Sequence, residues 1–277
     1  MWEGARRDII RTIAAAAVAL GLAAAPAAAD QLADIKERGT LVVGVKNDYK
    51  PWGFLDPSGA IVGMEIDLAR DVAERLGTEI ELVPVVASNR MEFLQQGRID
   101  LIIATLGDTE ERRKVIGMIE PNYYAGGTNV LAPKSAGLKG WADLKGKDVC
   151  AIQGAYYNRR VTQEYEPNLM AFAGIPEATT ALRNGNCIAF VYDNTWVESQ
   201  LAGSDEWAEY EMPLPTEDLQ AWAVAVKLEE LDGPWGDFMR EVVTDWHSSG
   251  QLIELNAEWG IKDNPFLLEK HEELKAD

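Results

Sequence analysis

The amino-acid sequence predicts an α/β fold with mostly parallel sheets. Short apolar runs, typical of buried strands, alternate along the chain with segments of helical periodicity. Glycines directly follow two of the helical segments, where they act as stop signals. Beyond a leader segment, roughly 250 residues remain, enough for one large domain or for two smaller ones. Repeated alternation of strand and helix is typical of α/β proteins.

The leader segment has the three parts of a secretory signal. Arg6, Arg7 and Arg11 form a basic start, an alanine-rich apolar stretch covers residues 13–25, and small residues up to Ala29 offer a cleavage site. We therefore assign residues 1–29 to a signal peptide that is cleaved near Ala29. An uncleaved anchor helix is the alternative, but the apolar stretch is short and weakly apolar for that role.

The export route stays open between two alternatives. The paired arginines resemble a twin-arginine signal, whereas the rest of the segment is equally typical of the general route. A lipid-anchored N-terminus is not expected, because the first cysteine, Cys150, lies far beyond the apolar stretch. We expect a soluble exported chain.

The first long helix is the clearest individual element. Met64, Leu68, Val72 and Leu76 recur every four positions, and Gly77 ends the pattern, so one face of this helix is expected to pack on a core. The other elements follow from apolar runs and stop signals in the same way. Strands are predicted at residues 41–45, 80–85 and 101–104 and near residues 130, 150, 188 and 224, and helices at residues 64–76, 89–96, 235–248 and 252–259.

A short helix is expected after the third predicted strand. Thr109 is a typical N-cap residue, and Glu110 and Glu111 suit a first helical turn, where acidic side chains meet the positive end of the helix dipole.

The charge of the chain excludes two classes of partner. Its 26 basic and 45 acidic residues give a net charge of −19, and removal of the signal, with three basic and two acidic residues, leaves −20. Such a surface repels phosphate backbones and anionic lipids, so we expect neither a nucleic acid nor a membrane surface as partner.

The two cysteines, Cys150 and Cys187, lie in apolar, strand-like runs of an exported chain, which favours a disulfide. Two buried free thiols are the alternative. A zinc site is not expected, because His247 and His271 have no ligand spacing to a cysteine, and we expect no metal and no other cofactor.

The sequence lacks the motifs of nucleophilic or nucleotide-dependent catalysis, and neither histidine has an obvious serine or cysteine partner. Polar and aromatic residues instead follow the predicted strands, at the edge where open α/β sheets bind ligands. These candidate ligand-binding residues are Tyr49, Trp52, Thr105, Gly107, Arg112, Gly154 and Asp193.

An ordered set of segments then resembles one family, the periplasmic amino-acid-binding proteins of ATP-driven (ABC) importers. The resemblance covers nearly the whole exported chain, from about residue 32 to residue 259. Each segment alone is a weak signal, and their common order is a strong one. The segments are residues 39–45 (GTLVVGV), 48–54 (DYKPWGF), 63–69 (GMEIDLA), 97–101 (GRIDL), 109–112 (TEER), 143–147 (DLKGK), 153–154 (QG), 181–185 (ALRNG) and 192–193 (YD).

The resemblance implies a two-lobed, type II periplasmic-binding-protein fold with a two-strand hinge. Residues 30–126 and 222–277 would form lobe 1 and residues 127–221 lobe 2, with crossings near residues 126–129 and 220–222. It also implies a periplasmic monomer that captures a polar amino acid and delivers it to the membrane permease of an ABC importer.

The resemblance implies a role for several site residues. Arg112 matches the arginine that grips the α-carboxylate of the ligand, a task suited to its planar fork, and Asp193 matches the aspartate that accepts the α-ammonium. Tyr49 and Trp52 match aromatic wall positions, with core packing as their alternative role.

The sequence departs from the family at two ligand positions and points to an acidic ligand at two others. Gly107 and Ala155 stand where the family often has hydroxyl residues, so backbone N–H groups would replace them or the ligand would not be a standard α-amino acid. Thr105 keeps one hydroxyl. Arg90 and Lys46 match cationic positions of acidic-amino-acid binders, although Arg90 could equally be a surface arginine of its helix.

Two other functions share this scaffold. Some exported dehydratases resemble these binding proteins, and a catalytic acid in the cleft would distinguish them, but no carboxylate is clearly placed for that role. A soluble partner of a membrane receptor would use the same cleft. We therefore expect a binding protein and not an enzyme.

Overall fold

The structure is a computed structural model that describes residues 30–275. The predicted signal peptide, residues 1–29, lies outside the described residues. The fourteen strands of the described part are β1 (Thr40–Val45), β2 (Asp48–Tyr49), β3 (Gly53–Leu55), β4 (Ile61–Val62), β5 (Glu79–Pro84), β6 (Leu101–Ile102), β7 (Gly117–Met118), β8 (Tyr124–Pro133), β9 (Asp148–Ile152), β10 (Asn168–Phe172), β11 (Ala189–Asp193), β12 (Tyr210–Glu211), β13 (Glu217–Trp222) and β14 (Ala225–Val226).

The α-helices include the five predicted ones, three more between residues 158 and 203, and two at the ends of the described chain. Short 3-10 helices cover Lys134–Ala136, Trp141–Leu144, Asp205–Trp207 and Leu228–Glu230. The α-helices are α1 (Gln31–Arg38), α2 (Met64–Leu76), α3 (Arg90–Gln95), α4 (Glu110–Arg113), α5 (Asn158–Tyr165), α6 (Ile175–Arg183), α7 (Asn194–Gly203), α8 (Pro234–Ser248), α9 (Gln251–Glu258) and α10 (Pro265–Leu274).

The local signals for α2 and α4 are confirmed. The predicted apolar face of α2 is buried, and Gly77 ends the helix with a φ of 69°, a left-handed conformation that glycine adopts readily. The Thr109 side chain accepts the Arg112 N–H at 3.3 Å and caps α4. This cap fixes the backbone position from which the Arg112 side chain extends.

The strands form two main sheets, one in each of two lobes, as the α/β prediction required. The first has the order β5-β1-β6-β14-β7 and the second β10-β9-β11-β8-β12, with β13 also paired to β8. Strands joined by helices pair in parallel, β1 with β5 and β6 and β9 with β10 and β11. The pairs made by β8, β13 and β14 are antiparallel, so the sheets are mixed and not mostly parallel.

The segments that connect the two sheets run side by side. Tyr124 and Ala125 in β8 pair with Trp222 and Ala221 in β13. Just outside these strands, the Ile119 N–H donates to the Val224 carbonyl at 2.9 Å. The predicted lobe boundaries fall inside this paired region.

A cluster of aromatic side chains fills the space where the lobes meet. Tyr49, Trp52, Tyr124 and Trp222 are buried, and the Tyr124 and Trp222 rings stack with centroids 5.1 Å apart. Trp52 meets both of these rings edge-on at 5.8 Å. The core is therefore continuous between the lobes beside the connecting strands.

The predicted disulfide is confirmed. Cys150 lies in β9 and Cys187 just before its neighbour β11, with their Cα atoms 5.7 Å apart, in the usual range for a bridge. Both residues are buried. Between residues 30 and 275, no helix combines the length and the apolar character needed to cross a membrane.

Candidate ligand-binding site

A cavity lies between the two lobes, at the carboxyl ends of β1, β6 and β11. The lobes are closed on it, because about 20 Å³ of space remains, enough for about one water molecule. A molecule of the size expected for the ligand does not fit in the space that remains. The cavity is lined by Lys46, Ala87, Arg90 and Thr105 of the first lobe and by Ile152, Ala155, Tyr156, Tyr157, Tyr192 and Asp193 of the second.

Lys46 follows β1 directly and is buried in the cavity wall. Its ammonium forms an ion pair with Asp48 Oδ1 at 2.8 Å. The other oxygen of Asp48 accepts the Ile175 N–H at 3.1 Å, at the start of α6 in the opposite lobe. Asp48 thus neutralises Lys46 and joins the lobes at once.

Arg90 is the first residue of α3 and is 4% exposed, so the alternative of a surface arginine does not hold. One of its terminal nitrogens donates to the Ala104 carbonyl at the end of the first sheet. Its Nε has no hydrogen-bond partner among the described residues. Burial lowers the pKa of Arg90. A guanidinium stays protonated in proteins, so Arg90 contributes a positive charge to the cavity wall.

Thr105 reaches the cavity through an unusual backbone conformation. Its φ of 48° lies in the left-handed region, which a non-glycine residue adopts only when its surroundings hold it there. The holding contact is a 2.7 Å hydrogen bond from its N–H to Oε1 of the buried Glu65.

Asp193 ends β11 and is the acidic group of the second lobe that faces the cavity. It is 7% exposed, and its Oδ2 accepts the Tyr49 hydroxyl of the first lobe at 2.8 Å. Burial raises the pKa of Asp193 to about 6, and the Tyr49 bond opposes that rise. Above that pH the side chain is a carboxylate able to accept an ammonium group.

Arg112 lies beside the cavity and bridges the lobes. Its guanidinium donates to the Gly107 carbonyl at 2.7 Å and to the Gly154 carbonyl at 3.1 Å. Burial and the nearby Arg90 charge lower the pKa of Arg112 to about 9, so it remains a cation at neutral pH.

Gly154 allows the lobes to approach this closely. Its φ is 80°, and an added Cβ would lie 2.8 Å from the backbone of Ala87 across the cleft. Only glycine fits such a contact without moving the backbone.

The structure brings most of the predicted site residues together. Lys46, Arg90, Thr105, Ala155 and Asp193 line the cavity. Tyr49, Gly107, Arg112 and Gly154 contact one another or the lining residues at its edge. Trp52 does not line the cavity and packs in the aromatic cluster, so its role as a ligand wall stays a prediction.

Sequence reasoning missed five lining residues and Glu65. Four of them lie next to predicted positions in the sequence: Ile152, Tyr156 and Tyr157 flank the 154–155 pair, and Tyr192 precedes Asp193. The fifth, Ala87, lies opposite Gly154 across the cleft. Glu65 lies within the matching segment 63–69, which was the only signal for it.

The charges of the site suit a ligand with both carboxylate and ammonium groups. Among the described residues, neither Arg90 nor Arg112 contacts a carboxylate, and Asp193 contacts no cationic side chain. Buried charges of this kind are stable only when a partner of opposite sign is present. Within the described range, no cluster of histidine, cysteine, aspartate and glutamate is arranged for a metal ion.

Two curated relatives match over most of their length. The ABC transporter glutamine-binding protein of Bacillus subtilis is 30% identical over 242 residues, or 85% of this chain and 86% of that protein. The L-glutamate/L-aspartate-binding protein of Pseudomonas aeruginosa is 24% identical over 277 residues, covering 93% of this chain and 90% of that protein.

Solved structures share the fold. The cysteine-binding protein of Campylobacter jejuni superposes with a TM-score of 0.77 at 25% identity, covering 83% of this chain and 92% of that one. An ancestral amino acid-binding protein, described as a precursor of cyclohexadienyl dehydratase, gives 0.73 at 26% identity, covering 83% and 99%. These neighbours confirm the two-lobed, type II fold.

The family model for bacterial extracellular solute-binding proteins, family 3, matches residues 41–262, which is most of the chain. The match includes every residue of the cleft described above. The chain therefore belongs to the bacterial extracellular solute-binding proteins of family 3.

Proposed function

We propose that this protein captures an amino acid with an acidic side chain in the periplasm and delivers it, as a monomer, to the membrane permease of an ABC importer. The observation that carries the proposal is the set of buried charges around the cleft, two guanidinium groups and one carboxylate. The names of the relatives support amino-acid binding for import in general.

Each charge has a counterpart in such a ligand. Arg112 would meet the α-carboxylate, Asp193 the α-ammonium and Arg90 the side-chain carboxylate. A guanidinium binds a carboxylate through two parallel hydrogen bonds, which supports the assignment of both arginines. Lys46 and Asp48 neutralise each other, so the remaining groups sum to one positive charge. An acidic amino acid carries one negative charge and balances them.

The missing hydroxyl groups do not remove the carboxylate site. At Gly107 and Gly154, the carbonyls that hold Arg112 are backbone groups, so the guanidinium is positioned without a side-chain hydroxyl. Thr105, which carries a hydroxyl, is one of the lining residues. This arrangement supports a standard α-amino acid as ligand.

We place the hinge in the paired strands β8 and β13, with residues 30–126 and 222–277 as lobe 1 and residues 127–221 as lobe 2. Support comes from the register, in which Gly126 pairs with Gln220 and Ala125 with Ala221. Away from these strands, hydrogen bonds join the lobes at several points, such as Asp48 with Ile175 and Tyr49 with Asp193. Such bonds can break when the lobes separate.

An enzyme on the same scaffold is the second candidate, because one structural neighbour is a precursor of a dehydratase. A buried carboxyl with a pKa of about 6, as in Asp193, could hold a proton for such a reaction. We favour binding because the Tyr49 bond and the surrounding cations stabilise the ionised form of Asp193.

Native mass spectrometry and calorimetric titration of the purified protein test the function. We expect glutamate or aspartate to bind tightly in a 1:1 complex of unchanged ligand mass, and glutamine, the neutral isostere of glutamate, to bind more weakly. At about pH 6, tighter binding of glutamine than of glutamate would refute the acidic-ligand assignment. Conversion of a bound compound to a new mass would refute the binding function in favour of an enzyme.

A further inference from the structure

Glu65 is a buried acidic residue for which the proposed binding function has no direct use. It lies in the first turn of α2 and is 0% exposed. Its Oε1 accepts the Thr105 N–H at 2.7 Å and the Tyr123 hydroxyl, whereas Oε2 has no hydrogen-bond partner in the described part of the chain. Because Thr105 lines the cavity, Glu65 lies directly beneath the cleft.

Charged and titratable groups face Glu65 from four elements. Tyr123, before β8, donates its hydroxyl to Glu65, and Lys46 after β1, Arg90 of α3 and Tyr192 of β11 lie near enough to interact with its charge. Burial raises the pKa of Glu65 to about 7, while the Tyr123 and Thr105 bonds and the two cations oppose the rise. The charge beneath the cleft therefore changes close to neutral pH.

The charge of Glu65 determines the net charge of the groups around the cleft. The groups counted above for ligand binding sum to +1, which an acidic amino acid neutralises. An ionised Glu65 lowers the sum to zero, which suits a zwitterion with a neutral side chain. We propose that Glu65 sets the net charge of the cleft and thereby determines whether the site prefers an anionic or a neutral amino acid. This inference rests on the proposed function.

The test compares glutamate with glutamine, two ligands that differ in charge and hardly in shape. Calorimetry gives both Kd values at about pH 6 and about pH 8, on either side of the Glu65 pKa. In the wild type, we expect the preference for glutamate over glutamine to be about tenfold greater at the lower pH. At the higher pH the buried negative charge of Glu65 repels the anionic ligand, and a repulsion of this kind between buried charges corresponds to about a tenfold change in Kd. The ratio of the two Kd values cancels the titration of Asp193, which affects both ligands.

Glu65→Gln should keep the stronger glutamate preference at both pH values, because the amide keeps the bond to the Thr105 N–H and carries no charge. Asp67→Asn is the matched control on the same helix. Asp67 is half-buried, pairs with Arg70 and accepts the Trp259 Nε1–H at 2.8 Å. It does not line the cavity, so its amide should leave the ratio and its pH dependence as in the wild type. Tyr123→Phe removes a bond that lowers the pKa of Glu65. The pH at which the ratio of the two Kd values changes should therefore be higher in this variant.

A second measurement needs no variant. Titrations in two buffers of different ionisation enthalpy count the protons taken up on binding. At about pH 8, the binding of glutamate should be accompanied by the uptake of more protons than the binding of glutamine, because the anionic ligand favours protonated Glu65. The difference should be up to about one proton per complex.

The outcomes separate this inference from the proposed function. A wild type that binds neither amino acid would overturn both. If both ligands bind and the ratio of their Kd values does not change with pH in the wild type, the role of Glu65 alone would be overturned. The same would follow if Glu65→Gln and the wild type gave the same ratio at about pH 8. Equal proton counts for the two ligands would overturn it as well.

Discussion

Removal of the Tyr49 hydroxyl should weaken ligand binding and shift its dependence on pH. In Tyr49→Phe, the Asp193 carboxylate loses the hydroxyl of the opposite lobe, 2.8 Å away, while the ring keeps its place in the aromatic cluster. The variant therefore tests one bond, between the Tyr49 hydroxyl and Asp193, the group expected to accept the ligand's ammonium.

The size of the effect follows from the kind of bond. A hydrogen bond to a charged group contributes about 1.5–3 kcal/mol, so the Kd should rise by about 10–100-fold. The bond also lowers the pKa of Asp193, so its loss should raise that pKa above about 6. In the proposed binding mode, ionised Asp193 accepts the ligand's ammonium, so binding should be lost as the pH falls through the pKa of Asp193. The acid limit of binding should therefore move to higher pH.

Calorimetric Kd values measured across the pH range give both effects. Tyr124→Phe is the matched control, because Tyr124 is also buried in the aromatic cluster but donates its hydroxyl to Asn256, away from the cavity, at 2.7 Å. It should lower stability by about 1 kcal/mol and leave the Kd unchanged. The same Kd and the same acid limit in Tyr49→Phe and in the wild type would refute the role given to this bond.

The other predictions concern the arginines, the disulfide and the hinge. Arg112→Ala should weaken every amino-acid ligand by about 100-fold or more, whereas Arg90→Ala should weaken glutamate and aspartate and spare glutamine; equal losses for all ligands in Arg90→Ala would contradict an acidic ligand. The bridge between Cys150 and Cys187, with a sequence separation of 37, should contribute about 3–4 kcal/mol, so its reduction should lower the Tm by about 10 °C in a thermal scan. Full alkylation of both thiols in denaturant without reductant would contradict the bridge. Small-angle scattering should give a smaller radius of gyration with saturating ligand than without, and an unchanged profile would contradict hinge closure.

Local sequence signals predicted the elements that depend on local physics. The four-residue spacing located α2, Gly77 its end, and Thr109 the start of α4. Apolar runs located β1 and β11, and the rule that ligands bind at strand ends then led to Asp193. These features could be read because each depends on residues that are neighbours in the chain.

Contacts between distant segments left little trace in the sequence. Glu65 reads as an ordinary first-turn acid of a helix, and only the packing of α2 beneath Thr105 buries it. The pairing of Asp48 with α6 of the other lobe likewise depends on how the lobes meet. Antiparallel pairing in β8 and β13 follows from the chain crossing between lobes and back, which no local periodicity encodes.

The buried charges connect the choice of ligand to the motion of the lobes. In an open cleft, water solvates Arg90, Arg112 and Asp193, whereas closure removes that water and makes each charge depend on a partner. The bonds between the lobes, such as Tyr49 with Asp193, contribute about 1.5–3 kcal/mol each when a charged group takes part. In the proposed binding mode, a ligand with two carboxylates and one ammonium would pair all three charges when the lobes close. A ligand of the wrong charge leaves one of them unpaired, so it should bind the open form and fail to close it.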